Sequence, residues 1–157
     1  MNTKISILQT LLIIAYLFTG CKLQTAEIDS MREFGQNYTE AWNNKQPDQM
    51  ASFYAEDGSL IVNNGTPAKG RQEIAETAES YMEAFPDMVL TMDSLKAMNG
   101  KYRYYWTFTG TNTGEGGSGN KVNFSGFEEW TMNKQGLIQM SEGTYDAEDY
   151  QRQLEGN

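Results

Sequence analysis

The chain has 157 residues, with 12 Lys and Arg against 21 Asp and Glu, no His and one Cys. The lack of histidine excludes Ser-His-Asp and Cys-His catalysis and imidazole metal sites. A single cysteine excludes an internal disulfide and a paired-cysteine zinc or redox site. The formal charge of −9 argues against a nucleic-acid partner, because phosphate binding depends on clustered Lys and Arg.

The N-terminal segment is predicted to be a signal peptide over residues 1–20. Lys4 precedes a mostly apolar stretch at 5–18, which is shorter than the roughly 20 residues of a typical membrane span. The stretch ends in Phe-Thr-Gly-Cys at 18–21, which resembles a bacterial lipobox, where the cysteine is acylated. The sequence therefore predicts lipidation of Cys21 and membrane anchoring outside the cytoplasm, with a polar tether over 21–27. An ordinary secretory signal and a buried N-terminal helix are the alternatives.

Three helices are predicted in the first half of the remaining chain. Apolar residues recur at helical spacing from Ile28 to Trp42, which predicts an amphipathic helix. Pro47 is well placed to begin a second, short helix through Phe53 and the next residue. A third helix is predicted from Gly70 until Pro86, which would end it.

Strand patterns follow. A brief strand is predicted at 60–62, and four longer runs at 88–97, 101–112, 121–132 and 137–145. Asn99-Gly100 between the first two long runs is a strong hairpin signal, and 133–136 forms a second turn. Helices followed by an antiparallel meander predict an α+β domain over 28–154.

Alternation along the strands predicts a cavity between sheet and helices. The even-numbered positions of the two central runs are mainly aromatic, and they also carry Asn112 and Glu128. In the last run, the same parity would turn Glu142, Asp146 and Ile138 inward. The aromatic residues predicted to line the pocket are Tyr38, Trp42, Tyr54, Tyr81, Phe85, Trp106, Phe108, Phe124 and Trp130.

A carboxyl group in such a cavity loses hydration, so its pKa is expected to rise. Carboxyls of this kind act as general acids and bases near neutral pH. Two alternatives remain for Glu128: a bulge that shifts the register and turns it towards water, or a buried structural hydrogen bond to Tyr or Trp. No cofactor or metal is predicted, because the acidic residues lack a calcium-loop spacing.

Several segments together resemble a known family. They are Tyr-Thr-Glu-Ala-Trp-Asn at 38–43, Phe-Tyr-Ala-Glu-Asp-Gly at 53–58, Ala-Phe-Pro-Asp at 84–87 and Gly-Thr-Asn-Thr-Gly at 110–114. In this order, with Gly70 beginning a helix, they resemble the SnoaL-like polyketide cyclase (ester cyclase) branch of the nuclear-transport-factor-2-like superfamily. The resemblance implies a cone-shaped barrel in which a curved antiparallel sheet wraps around three N-terminal helices and encloses a pocket. It also implies homodimers through the outer sheet face.

The resemblance also implies site residues. A family His falls at Asn112, and a family Asp that acts as general acid or base falls near Glu128. The terminal family pattern Trp-x-x-x-Asp matches Asp146, with Glu142 in place of the Trp. The candidate catalytic residues are therefore Glu128, Asn112, Glu142 and Asp146.

Two kinds of function fit these residues. In the first, a small apolar or aromatic molecule binds in the pocket and undergoes cyclase- or isomerase-like proton transfer at Glu128, with Asn112 or a Tyr hydroxyl stabilising the enolate. In the second, the same fold serves as a non-catalytic ligand-binding or protein-interaction module, the latter through an outer face that includes Arg103, Tyr105 and Phe127. The superfamily contains both kinds, so the fold alone does not choose.

Overall fold

The computed structural model describes residues 26–157, so the signal peptide and Cys21 lie outside the described residues. Helix α1 covers 26–43, two residues of which the sequence assigns to the tether, and α2 covers Pro47–Ala51. The third and fourth helices are α3, Gly70–Ala84, and α4, Ala147–Glu155. Within residues 26–157, no helix combines the length and apolar character needed to cross a membrane.

Six strands form one mixed sheet. They are β1 Tyr54–Val62, β2 Ala68–Lys69, β3 Val89–Met98, β4 Lys101–Thr111, β5 Lys121–Met132 and β6 Ile138–Tyr145. The spatial order is β2-β1-β6-β5-β4-β3, with β2 and β3 at the edges. The four long strands form the predicted antiparallel meander, whereas β1 runs parallel to β6.

The fold is α+β, as predicted, and the structure differs from the expectation in several details. The sheet is mixed rather than wholly antiparallel, because β1 runs parallel to β6, and its two edge strands do not pair with each other. The second helix ends at Ala51, and Tyr54 begins a nine-residue strand where only three residues were predicted. The C-terminal helix α4 was not predicted.

Local sequence explains several of these elements. Pro47 occupies the first turn of α2, where its missing N–H costs nothing. Asn99 and Gly100 both have positive φ angles, 52° and 78°, which the two-residue turn between β3 and β4 requires. Asp146 accepts a hydrogen bond from the backbone N–H of Asp149 and thereby caps α4.

Helix α1 lies on the inner face of the sheet. The Phe34 ring packs edge-on against Trp130 at 5.7 Å between centroids, and the Thr39 hydroxyl is 2.7 Å from that of Tyr104. Asn43 forms two hydrogen bonds to the backbone of Leu90 in β3, at 2.7 and 2.9 Å. These contacts hold α1 over β3, β4 and β5 and define one side of the site.

Candidate functional site

A cavity of about 70 Å³ lies between the inner face of the sheet, α1 and α3. Glu128 is the one acidic or basic residue among the described residues that line it. Four lining residues, Val62, Thr77, Tyr81 and Tyr145, are partly exposed and mark its outer end. The lining residues are Trp42, Leu60, Val62, Thr77, Tyr81, Leu90, Trp106, Phe108, Phe124, Glu128, Gly143 and Tyr145.

Glu128 is buried, with 7% of its surface exposed. Its Oε2 atom accepts hydrogen bonds from Ser141 Oγ at 2.6 Å, Trp130 Nε1 at 2.8 Å and the Tyr38 hydroxyl at 3.2 Å. Its Oε1 atom accepts only a longer bond, 3.3 Å, from the same Tyr38 hydroxyl. The two oxygens are therefore unequal, and Oε1 is the one left for a further partner.

A second tyrosine extends this network. The Tyr54 hydroxyl lies 3.2 Å from that of Tyr38. Because the Tyr38 proton is directed to Glu128, we assign Tyr54 as the donor in this pair. The network thus joins α1, β1, β5 and β6 through side chains that are buried in the core.

Electrostatics at the site favour the neutral carboxyl. Burial raises the pKa of Glu128 above its ordinary value, and the hydrogen bonds from Ser141, Trp130 and Tyr38 oppose that rise. Among residues 26–157, Glu128 takes part in no ion pair. Burial and the nearby Glu128 also raise the pKa of Tyr38 and of Tyr54, so both hydroxyls stay protonated.

The orientation of Glu128 follows from the pairing of its strand. No bulge interrupts the pairing of β4 with β5, so Glu128 faces inward, paired with Tyr104. It also forms buried hydrogen bonds to a tyrosine and a tryptophan. It is thus both a cavity residue and a member of a structural network.

The prediction that Glu142 faces the cavity is wrong. Its side chain is 48% exposed on the outer face, and Oε2 lies 3.4 Å from Nζ of Lys101. The cause is a bulge at the start of β6: Met132 pairs with Ile138, but Thr131 pairs with Met140. The extra residue, Gln139, reverses the parity, so Ser141 and Gly143 face inward in place of Glu142.

Asn112 and Asp146 also lie outside the cavity, contrary to prediction. Strand β4 ends at Thr111, and the Asn112 side chain donates to the carbonyl of Ala84 and accepts from the backbone N–H of Ser118. It thereby fixes the glycine-rich loop to the end of α3. Asp146 is exposed and caps α4. The catalytic roles predicted for these two residues have no support from their positions.

The aromatic predictions divide into two groups. Trp42, Tyr81, Trp106, Phe108 and Phe124 line the cavity. Tyr38, Tyr54, Phe85 and Trp130 are buried behind the lining, where Tyr38, Tyr54 and Trp130 form or extend the Glu128 network.

Sequence reasoning missed Ser141, the closest partner of Glu128, and Tyr145 at the outer end. The bulge hid both, because an uninterrupted β6 turns them outward. Among residues 26–157, no group of three or more Asp, Glu, Cys or His side chains is arranged to hold a metal ion.

Comparison with known proteins identifies the family of this chain. The family model for SnoaL-like polyketide cyclase matches residues 32–154. The chain belongs to the SnoaL-like family. No curated protein matches it.

Solved structures share the SnoaL-like fold of this chain. A protein with a ketosteroid isomerase-like fold from Catenulispora acidiphila, in complex with trimethylamine, has a TM-score of 0.68 at 13% identity, with 76% of this chain and 90% of that one covered. The epoxide hydrolase/cyclase-like enzyme SalBIII has a TM-score of 0.66 at 15% identity, with 77% of this chain and 94% of that one covered. The phenazine biosynthesis-related protein PhzB2 from Pseudomonas aeruginosa has a TM-score of 0.64 at 14% identity, with 83% of this chain and 91% of that one covered. At these identities the likeness shows the fold alone.

Proposed function

We propose that this SnoaL-like protein binds a small apolar or aromatic molecule in the cavity and that Glu128 transfers a proton within it. The observation that carries the proposal is the inequality of the two carboxyl oxygens. Three donors hold Oε2 and fix the side chain, while Oε1 has one long hydrogen bond. Burial raises the pKa of this carboxyl, and a raised pKa is typical of carboxyl groups that act as general acids and bases.

The reaction class is the transfer of a proton next to a carbonyl group. In the ionised form, Oε1 takes a proton from the carbon beside the carbonyl; the C–H bond breaks, an O–H bond forms, and the electron pair moves to the carbonyl oxygen as an enolate. The protonated Glu128 then returns the proton to the same molecule. Most of the side chains that line the cavity are apolar, which strengthens the electrostatic interactions of the carboxyl in this step. The family name and the cyclase-like neighbour SalBIII support this class of chemistry.

Hydrogen–deuterium exchange tests the proposal without knowledge of the natural substrate. Cyclohexanone in D₂O exchanges the hydrogens beside its carbonyl, and NMR measures the rate. We expect the protein to accelerate exchange and Glu128→Gln to lose at least about 100-fold of that acceleration, the usual contribution of a general base. Glu142→Gln, on the outer face, is the matched control and should leave the rate unchanged. An unchanged rate in Glu128→Gln would remove Glu128 from the mechanism.

A non-catalytic binding protein is the second candidate. The observation that favours it is the Glu128 network itself, because a carboxyl that joins four elements also serves as a structural link. Under this alternative, cyclohexanone raises the melting temperature but the protein does not accelerate exchange. Native mass spectrometry of the purified protein would then be used to detect a co-purified small molecule.

We further propose that acylation of Cys21 anchors the domain to a membrane outside the cytoplasm. The proposal depends on the lipobox-like segment at 18–21. Metabolic labelling with a palmitate analogue should label the wild-type chain and not Cys21→Ser. Label retained by Cys21→Ser would contradict it.

The outer sheet face is proposed as a homodimer interface. Tyr105 and Phe127 lie side by side there with their ring centroids 6.0 Å apart, and the guanidinium of Arg103 lies 4.6 Å from the Phe127 ring. Phe127→Glu would add a further carboxylate to the face that carries Glu129 and Glu142, so sedimentation should detect a dimer in the wild type and a monomer in the variant. A monomeric wild type would contradict the proposal.

A further inference from the structure

One end of the domain brings together two strand turns and the start of α1. The turn between β3 and β4 lies within residues 96–103, and the turn between β5 and β6 lies within 129–137. Tyr102 in the first segment pairs with Trp130 in the second, so the two turns are neighbours. The Tyr102 hydroxyl also donates a hydrogen bond to Glu27 in the first turn of α1. We call the two segments the turn end of the domain.

The turn end carries positive charge although the chain as a whole is acidic. It has four cations and one acid, and the adjoining acids Glu27 and Glu142 leave the balance positive, against a formal charge of −9 for the chain. Helix α4 lies at the opposite end of the sheet, where Gln153 bonds the backbone of Asn123 near the start of β5. This helix and its cap residue Asp146 contain four acids and one arginine. The charged residues of the turn end are Lys96, Lys101, Arg103, Lys134 and Glu129.

Met98 adds an exposed apolar side chain to the turn end. It is 38% exposed, and among residues 26–157 the other exposed large apolar side chain is Val89, at the opposite end of β3. Lys134 in the neighbouring turn and Lys96 in β3 are exposed as well. Apolar side chains next to lysines suit a lipid surface, because the apolar group enters the headgroup boundary and the ammonium groups bind anionic headgroups.

The proposed lipid anchor lies close to the turn end along the chain. Ala26, the first residue of α1, is five positions after Cys21, and five fully extended residues span at most about 18 Å. The next residue, Glu27, is bonded to Tyr102. A membrane that holds Cys21 is therefore within reach of the turn end, whereas α4 is at the far end of the sheet.

We propose that the turn end docks on an anionic lipid surface and that the outer end of the cavity faces away from the membrane. The proposal goes beyond the ligand site and rests on the proposed acylation of Cys21. Val62 and Tyr145, at the outer end of the cavity, are the last residues of β1 and β6. Since β6 begins directly after the second turn, its eight residues place Tyr145 roughly 23 Å from the turn end. The cavity ligand therefore enters from the aqueous phase and not from the bilayer.

Paramagnetic broadening tests the orientation without reliance on acylation in the cell. Cys21 is the only cysteine of the chain, so its thiol couples the chain from Cys21 onward to a maleimide lipid in nanodiscs that contain phosphatidylglycerol. Nitroxide groups on the lipid headgroups then broaden the NMR signals of nearby amides. We expect the amides of Asn99 and Gly136 to lose about twofold or more in intensity relative to those of Val89 and Gln153. In nanodiscs of phosphatidylcholine alone, the difference should shrink.

Charge reversal tests whether the lysines cause the docking. We expect Lys96→Glu combined with Lys134→Glu to abolish the difference in broadening between the two ends. Lys45→Glu combined with Lys121→Glu is the matched control, because it changes the net charge equally, after the end of α1 and at the start of β5. Among residues 26–157, none of these four lysines forms an ion pair, so both variants should keep the fold.

The outcomes separate this proposal from that of the lipid anchor. Equal broadening at both ends, or stronger broadening at Val89 and Gln153, would overturn the orientation and leave acylation of Cys21 standing. The same difference in both variants, or in both kinds of nanodisc, would overturn docking on anionic lipid, because the short linkage alone would then explain the orientation. Selective broadening of the turn end, with no palmitate label on Cys21 in cells, would support the lipid-binding surface and refute the anchor.

Discussion

The Oγ atom of Ser141 lies 2.6 Å from Oε2 of Glu128 and is its closest hydrogen-bond partner. The contact crosses from β6 to β5, where Ser141 pairs with Trp130, the other donor in the same face. Ser141 is itself fully buried. The carboxyl of Glu128 therefore accepts hydrogen bonds both from its own strand, β5, and from the neighbouring strand, β6.

Removal of the Ser141 hydroxyl should weaken both the fold and the ionised carboxyl. We expect Ser141→Ala to lower the free energy of unfolding by about 1–3 kcal/mol, the cost of a lost buried hydrogen bond, and to raise the pKa of Glu128 further. Ser125→Ala is the matched control, because Ser125 is exposed and bonds only Thr107; its effect should stay within about 0.5 kcal/mol. Urea unfolding measures the free energy of unfolding of both variants. Equal losses in the two variants would contradict this role of Ser141.

The buried carboxyl should make stability depend on pH in a defined direction. The pKa of Glu128 is raised in the folded state, so between the unfolded and folded values the native state binds more protons than the unfolded state. Its contribution to the free energy of unfolding is therefore fully present below the unfolded pKa of about 4.3. It is lost as pH rises through the folded pKa.

Comparison with variants isolates this contribution. Glu128→Gln, which cannot ionise, should lack the loss of stability with rising pH. The pKa of Glu129, which pairs with Lys101 and Arg103, is lowered, so that group contributes in the opposite direction in both proteins and cancels in the difference. Unfolding measured from pH 4 to pH 8 gives the difference. A difference that does not vary with pH would show that Glu128 titrates alike in both states.

Two inward glycines should respond differently to an added methyl group. A Cβ on Gly143 would lie 3.5 Å from the carbonyl oxygen of Ile61 and 3.7 Å from Cγ of Glu128, ordinary contacts beside the cavity. We expect Gly143→Ala to fold normally and to weaken cyclohexanone binding by roughly tenfold, because the methyl occupies ligand space. Calorimetry measures the affinity. Unchanged affinity would place the ligand elsewhere.

Gly126→Ala is the contrasting variant. Its Cβ would lie 2.5 Å from the carbonyl oxygen of Thr144 and 2.6 Å from the Trp106 ring. Neither backbone nor packed indole yields easily, so we expect a loss of about 1–3 kcal/mol in the free energy of unfolding. A variant as stable as the wild type would mean that the Trp106 ring has room to move away from residue 126.

Asn112 should matter to the loop and not to the chemistry. Its side chain bonds the carbonyl of Ala84 at 3.1 Å and the N–H of Ser118 at 2.8 Å. We expect Asn112→Ala to lower the free energy of unfolding by about 1 kcal/mol and to leave deuterium exchange of cyclohexanone unchanged. Loss of exchange with the fold intact would restore the catalytic role that the family resemblance implied.

The sequence predicts faces correctly where strands pair without interruption. Positions 102–130 of β4 and β5 contain no bulge, so alternation alone turns Trp106, Phe108 and Glu128 inward. In β6, one extra residue reverses the alternation of inward and outward side chains after Ile138. We found no residue in the sequence of that strand that predicts the bulge. Parity arguments are local, whereas a bulge is fixed by the neighbouring strand.

Two other elements were missed for different reasons. Phe53 and Tyr54 continue an apolar helical spacing, and only the pairing of Tyr54 with Ile138 makes that residue the start of a strand. Helix α4 carried readable signals: Asp146 at the cap, acidic residues in the first turn and Gly156 in the left-handed conformation at its end. Its exposed and acidic character made it resemble a tail.

The single added residue at Gln139 has an electrostatic consequence. If β6 ran straight, Glu142 would project towards Glu128, and two carboxyls in one apolar chamber could not both be ionised. They would share a proton, in the manner of an acid dyad. Because the bulge in β6 turns Glu142 outward to Lys101, no second carboxyl is coupled to Glu128 in the cavity. Glu128 therefore gains and loses its proton independently of another acid.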